Sequence, residues 1–369
     1  MKKIAIVTLY DDTNIGNKLQ NYAVQCFFEE MGFACETLPH WEMAHDTFTL
    51  PDIKKNICKT IGYPKRRAKK LRMEEKRKVR FSTFSKQYLK LGKMVKIHRL
   101  PKDLANQYDY FVTGSDQVWH NWTDSAEEIK YFMLGFANEN QRLTISPSFG
   151  KSVIDSYYDE YKQGLNGFKV LTCREESGAE LIENIVHKKA HVLLDPTMLI
   201  PSSYWYDMCE NIHLVLPKKY ILVYCLGNMK SEHRYFLEKT AKENRLEILD
   251  VYSIDQEDMF YTKPDEFLYY IQHASLVFTD SFHASVFSIL FKKDFIVFDR
   301  NTSYIKNMTS RIDTLLKTFN LMERKMNEQI RLFGTDFSHV DAILEKERKR
   351  ANELYQHTFQ ILEQGIEHD

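Results

Sequence analysis

The chain has no apolar run approaching the roughly 18–20 residues that a membrane-spanning helix needs. It has no C-x-x-C pair: its six cysteines, at 26, 35, 58, 173, 209 and 225, are scattered. That spacing argues against a zinc site or a disulfide framework and fits reduced thiols in a cytoplasmic protein. There is no excess of either charge sign, with 51 Lys+Arg against 51 Asp+Glu, so bulk nucleic-acid binding is not indicated. The sequence also lacks G-x-G-x-x-G, a P-loop, H-E-x-x-H and G-x-S-x-G, which leaves a dinucleotide fold poorly supported. Acid pairs such as Asp11-Asp12 are weak metal evidence, and no metal or cofactor is expected. The N-terminal Met1-Lys-Lys-Ile-Ala-Ile-Val-Thr-Leu-Tyr10 starts like a signal peptide, but its core is short and Asp11-Asp12 follow without a cleavage site. It reads as a buried first strand.

What is present is apolar substance in quantity. An apolar fraction of 43% and an aromatic fraction of 13% over 369 residues suffice for two cores. Ile4–Leu9 predicts a parallel strand, 11–17 a polar turn, Lys18–Met31 an amphipathic helix closed by Gly32, and Phe33–Leu38 a second strand. This opening is doubly wound. Further strands are predicted at Phe111–Thr113, Arg142–Ser146, Lys169–Cys173 and His191–Leu194. The prolines of Asp195-Pro-Thr-Met-Leu-Ile-Pro201 mark a boundary, after which a second α/β series starts at Tyr220–Leu226. The expected organisation is a first Rossmann-like domain at 1–200, a second at 201–335, and a C-terminal helix within 336–369. An insertion at about 52–100 interrupts the first domain. From Lys54 to Arg80 it holds 13 Lys/Arg and two acids. It reads as a solvated helix, as a basic surface for anionic lipid or a lipid-pyrophosphate substrate, or as a nucleic-acid contact.

Two strand ends carry the chemistry. Tyr110-Phe-Val-Thr-Gly-Ser-Asp-Gln-Val-Trp119 passes from an apolar run to ligand-type side chains. There Ser115, Asp116 and Gln117 can bond sugar hydroxyls, Asp116 can instead orient a base, and Trp119 either stacks on a sugar or belongs to the core. Thr279-Asp-Ser-Phe-His283 repeats the design, with Ser281 as a helix N-cap and His283 in the first turn. His283 reads as a phosphate ligand and general acid/base, or as a capping or core histidine. Arg174, at another strand end, reads as a fork for carboxylate or phosphate, or as a local ion pair. Asn14, Asn17 and Gln20 line the turn after the first strand, where Gly16 allows close backbone approach.

Taken together, these residues resemble the polysaccharide pyruvyltransferase family. The matching segments are Asn14-Ile-Gly-Asn-Lys-Leu-Gln-Asn-Tyr-Ala23, Gly114-Ser-Asp-Gln-Val-Trp119, Arg174-Glu-Glu-Ser-Gly178, Leu194-Asp-Pro-Thr197, Asp280-Ser-Phe-His-Ala284 and Asn307-Met-Thr-Ser-Arg-Ile-Asp-Thr-Leu-Leu316. The resemblance implies a GT-B-like architecture, two Rossmann-like halves with a central cleft. It implies transfer of pyruvate from phosphoenolpyruvate, a co-substrate, to a sugar or lipid-linked oligosaccharide as a ketal. It makes His283 catalytic and Arg174 donor-binding, and puts 14–20 and 115–119 on the acceptor side. Members carry Arg-Leu-His or similar where this chain has Ser281-Phe282-His283, so Arg300, Lys306 and Arg311 become candidates for the missing charge. Asn17 stands where some members have an acid. The rival readings are a GT-B glycosyltransferase using a nucleotide sugar, and a non-catalytic assembly protein docked on a membrane through residues 54–80. The resemblance implies a cytoplasmic protein, at most peripheral to the membrane.

Overall fold

The computed structural model describes residues 1–10, 13–41, 65–300, 309–327 and 329–364. Asp11-Asp12, Lys306, Cys58 and the start of the basic insertion, with Lys54, Lys55 and Lys59, lie outside them.

The first strand, β1 (Lys3–Val7), is followed by a helix, Ile15–Glu30, and then by β2 (Ala34–Thr37). A short pair, β3 (His40–Trp41) and β4 (Val95–Lys96), flanks the basic insertion, whose described part is one helix, Lys65–Tyr88. Then come β5 (Tyr110–Asp116) and β6 (Arg142–Pro147). The sheet order is β2-β1-β5-β6, all parallel. Ile4, Ala5, Ile6 and Val7 are fully buried, as parallel strands covered on both faces must be. A smaller parallel pair, β7 (Leu171–Cys173) and β8 (Ala190–Val192), continues beside β6. Side-chain hydroxyls stitch that junction: Thr172 Oγ1 accepts from the Ser146 amide at 3.0 Å.

The second sheet comprises β9 (Tyr220–Tyr224), β10 (Glu247–Asp250), β11 (Leu276–Thr279) and β12 (Phe295–Val297). Its order, β10-β9-β11-β12, is again parallel throughout. The two sheets, each flanked by helices, make the GT-B-like α/β architecture. The long C-terminal helix, Val340–Gln364, returns to the first half. There Tyr355 packs edge-on against Phe27 and Phe28, and its hydroxyl donates to the Thr144 carbonyl. One apolar core therefore runs from Ile4 through Trp205 to Leu222 and Tyr355, shared by both halves.

The basic helix is not simply solvated. Its underside buries Met73, Arg77, Phe81 and Phe84. Arg77 donates to the carbonyls of Phe260 (2.9 Å), Val251 (3.4 Å) and Thr13 (3.4 Å), so it joins the second half to the loop after β1. Among the described residues no helix is long and apolar enough to cross a membrane. The five described cysteines are free, and burial pushes the thiols of Cys26, Cys35 and Cys209 up to about 12.

Candidate active site

The carboxyl ends of β1, β5, β7 and β11 converge. Asn14 caps the helix after β1, its Oδ1 accepting from the Asn17 amide at 3.3 Å. Two residues on, Gly16 meets the ring of His283 from the opposite half. A Cβ on Gly16 would lie 2.2 Å from His283 Nδ1, so only glycine lets the imidazole sit there. His283 itself stands in the first turn of the helix Phe282–Leu290, which Ser281 caps by accepting from the Ala284 amide.

On the β5 side the chain turns sharply. Gly114 has φ 125°, and a Cβ there would meet the Ile145 carbonyl oxygen at 2.1 Å. Asp116 follows with φ 69°, a left-handed conformation that aspartate tolerates better than most residues. Its carboxylate takes Asn17 Nδ2 at 2.6 Å on Oδ2 and Arg174 at 3.0 Å on Oδ1, with Arg311 3.6 Å from the same Oδ1.

Arg174, just beyond β7, uses its other terminal nitrogen on Asp195 at 2.8 Å. Asp195 in turn caps the helix Pro196–Leu199, accepting from the Thr197 amide and hydroxyl at 3.1 and 2.7 Å. Ser115 Oγ donates to Asp195 at 2.8 Å. His283 Nε2 lies 3.8 Å from Asp195 Oδ2, beyond hydrogen-bond reach, and has no hydrogen-bond partner among the described residues. The Phe282 ring carries the Arg174 guanidinium 4.4 Å and the Arg311 guanidinium 5.9 Å from its centroid.

Burial and pairing set the protonation states. For Asp116, burial favours the neutral acid, but Arg174, His283 and Arg311 outweigh it and hold the carboxyl down at about 2. Asp195 is held below the ordinary carboxylate range, against burial, by His283 and Arg174. Burial lowers His283 despite both carboxylates, so its neutral form prevails at pH 7. Arg311 falls to about 10 through burial and the neighbouring Arg174. Burial raises Glu175, whose Oε1 accepts from the Ser148 hydroxyl at 2.7 Å. The result is two carboxylates, two guanidiniums and a neutral imidazole in one buried cluster.

Several expected roles change on this geometry. Trp119 is a core residue, 1% exposed between Phe149 and Phe168, and has no face for a sugar. Gln20 is fully buried, accepting from the Ser115 amide at 2.9 Å and donating to Thr8 Oγ1 at 2.7 Å, so it braces the β5 turn and does not line the acceptor side. Ser115 is likewise fully buried, its hydroxyl bound to Asp195 and the Ser146 carbonyl. Gln117 is nearly buried against Gly150, and its amide nitrogen has no partner. Arg174 is an ion-paired residue whose two terminal nitrogens already hold carboxylates, not an open fork. Arg300 pairs with Asp280 (3.4 Å), a carboxylate that also takes the amides of Leu226 and Gly227. Lys306 lies outside the described residues.

One participant was missed. Asp195 ties Arg174, Ser115 and the His283 side together, and its signal was visible as an Asp-Pro-Thr helix start directly after a strand. Trp122 projects from the loop after β5, 46% exposed and tilted over His120 with ring centroids 4.3 Å apart. Its Nε1 donates to the Gln117 carbonyl at 3.1 Å. A cavity of about 320 Å³ reaches Arg174, Asp195, Phe282 and Arg311 at the inner end and Lys346 and Arg350 of the C-terminal helix at the outer. That is the small end of the range for ligand sites, about 300–1,000 Å³. Among the described residues no group of three or more His, Cys, Asp or Glu is placed to hold a metal.

The family model for polysaccharide pyruvyl transferases matches residues 14–302, most of the chain and every described member of this cluster except Arg311. The chain belongs to that family. No curated protein matches it. Among solved structures, a Listeria monocytogenes protein thought to be a UDP-N-acetylglucosamine 2-epimerase aligns at TM-score 0.50 and 9% identity, over 98% of this chain and 90% of that one. Staphylococcus aureus MnaA with UDP gives TM-score 0.48 at 9% identity, over 98% and 91%. An uncharacterised Klebsiella pneumoniae protein gives 0.45 at 13%, over 87% and 91%. At such identities the likeness concerns the fold alone, and within that fold this pyruvyl transferase family member places its charged cluster between the two sheets.

Proposed function

We propose that the protein moves a pyruvyl group from phosphoenolpyruvate onto a sugar of a cell-surface polysaccharide or its lipid-linked precursor, as a cyclic ketal. The observation that carries this reading is His283: buried, neutral, and with Nε2 unpartnered beside two guanidiniums. The donor is a small anion with a carboxylate and a phosphate, and Arg311 is the guanidinium suited to it. Among the described residues its one carboxylate contact in the site is the long one to Asp116, and its Nε has no hydrogen-bond partner. Arg174 has a positioning role, fixing Asp116 and Asp195.

Ketal formation adds a proton to the methylene carbon of phosphoenolpyruvate and a sugar oxygen to the adjacent carbon. The C–O bond to phosphate then breaks, phosphate leaves, and a second sugar hydroxyl closes the ring while losing its proton. A neutral His283 accepts the hydroxyl proton first. The imidazolium it becomes is stabilised by Asp195 and Asp116, and it returns the proton to the methylene carbon or the departing phosphate. Trp122, 46% exposed, offers an aromatic face to the acceptor.

Thermal-shift titration with phosphoenolpyruvate, followed by phosphate release in the presence of candidate glycans, tests this. His283→Ala should lower turnover by about 10²–10⁴-fold while leaving the melting temperature within a degree or two. Unchanged turnover would remove the histidine from the chemistry. Stabilisation by UDP-sugars but not by phosphoenolpyruvate would replace this reading with a nucleotide-sugar transferase.

A further inference from the structure

We infer that the outer face of the basic helix Lys65–Tyr88 docks on the surface of an anionic phospholipid bilayer. This is independent of the reaction assigned above. Although the whole chain is neutral, the span Lys65–Arg80 carries ten Lys/Arg and two acids. Three of those bases face the second half and pair there: Arg66 with Asp255, Lys69 with Glu257, and Arg80 with Glu266. Arg77 is buried beneath the helix. Lys70 and Lys78 lie near Glu74 and Glu75 of the same helix, and Lys65, Arg72 and Lys76 are exposed.

Four bases form one stripe. Lys65, Lys69, Arg72 and Lys76 follow the i, i+4, i+7, i+11 spacing that stacks side chains on a single helix face. They make one wall of a groove of about 420 Å³, whose other wall is Glu257 and Tyr261. Lys76 Nζ sits 5.6 Å from the Tyr261 ring centroid. With Lys69 taken up by Glu257, the three exposed cations Lys65, Arg72 and Lys76 make this groove a seat for phosphate oxygens. One turn on from Lys76, Val79 is 66% exposed.

Phosphate-rich partners come as lipid surfaces or as nucleic acids, and the composition of this face favours lipid. Nucleic-acid recognition calls on aromatic or amide side chains that reach bases; Lys65–Arg80 contains no aromatic, Asn or Gln, and the groove's one aromatic, Tyr261, is already faced by Lys76. Bases set beside an exposed aliphatic residue suit a bilayer interface. Because Met73, Phe81 and Phe84 fix the underside, docking through this face would hold the two halves in one orientation relative to the membrane.

The test is flotation of the full chain with phosphatidylcholine vesicles, with and without about 30% phosphatidylglycerol, at about 0.1 M salt. Binding is expected only with the anionic lipid and should fade at about 0.5 M salt. The triple variant Lys65→Gln, Arg72→Gln, Lys76→Gln should bind about a hundredfold more weakly. The triple variant Lys218→Gln, Lys219→Gln, Lys239→Gln, which removes as many exposed charges elsewhere, should bind as the parent does. Equal binding by the two triples, no preference for anionic vesicles, or retention of RNA in place of vesicles would overturn the inference. Melting curves of both triples separate lost binding from lost folding.

Discussion

The buried cluster around His283 and the helix Lys65–Tyr88 are both dense in charge, and they use it in opposite ways. In the cluster, Arg174 spends both ends of its guanidinium on Asp116 and Asp195, and every charged group is nearly dry. On the helix, most cations stand in water, where a pair such as Lys70–Glu74 contributes little. Arg77 is the exception that defines the contrast: it lies on the same helix, yet it is buried and donates to three carbonyls. Burial and partners, rather than charge as such, separate a site from a surface.

The sharpest way to break this comparison is Gly16→Ala. The new methyl would collide with His283 Nδ1, the movable end of a side chain, so the ring shifts while the fold holds. Turnover should fall about 100-fold, because a displacement of about 1 Å from productive geometry costs that much. Denaturant unfolding should show a stability change of only about 1 kcal/mol. Parent-like turnover would mean that His283 does not need its present position. Gly16 is where sequence reading and structure agree in kind: the close approach was expected there, but the group approaching it comes from the other half of the chain.

That limit recurs across the molecule. Strand positions and helix starts were legible because periodicity and capping are local. The β1 strand, the Ser281 cap and the existence of the C-terminal helix from Val340 all carry local signals. Partnerships over distance were not legible. Arg174 binds carboxylates 58 and 21 residues away, and nothing in its neighbours Glu175 and Glu176 announces Asp116 or Asp195. Trp119 and Trp122 look alike in sequence. Only the packing of Phe149 and Phe168 makes the first a core residue and leaves the second exposed. Arg72 and Arg77, five residues apart, differ only through what lies beneath the helix.

A second prediction sharpens that last pair. Arg77→Met strips three carbonyls, two of them in the second half, of a charged donor, and should cost about 2–4 kcal/mol. Arg72→Gln removes an equal charge from the exposed stripe and should change stability by no more than about 0.5 kcal/mol. Denaturant midpoints of the two variants decide it. Equal losses would mean that the helix is held by its charges in general and not by Arg77.

The smallest expected effect is the pH dependence that separates the dry cluster from the wet helix. The native-state pKa of His283 is lowered, chiefly by burial, below the unfolded value near 6.5. Above about 6.5 both states carry a neutral imidazole and its burial costs nothing in proton binding. As pH falls below that value the unfolded chain takes up a proton that the native chain resists, so stability declines until the native pKa is passed. Asp116 behaves differently: its folded pKa of about 2 adds stability that is complete above its unfolded pKa of about 4 and fades as pH drops towards 2. Between about pH 6.5 and 5 the histidine therefore contributes a loss to which Asp116 contributes nothing. In His283→Ala that part of the decline should vanish, and in Lys65→Gln, whose charge stands at the surface, it should persist unchanged. Unfolding midpoints measured in half-unit pH steps resolve this. A decline of the same size in His283→Ala would show that His283 is not the buried neutral base on which the proposed chemistry depends.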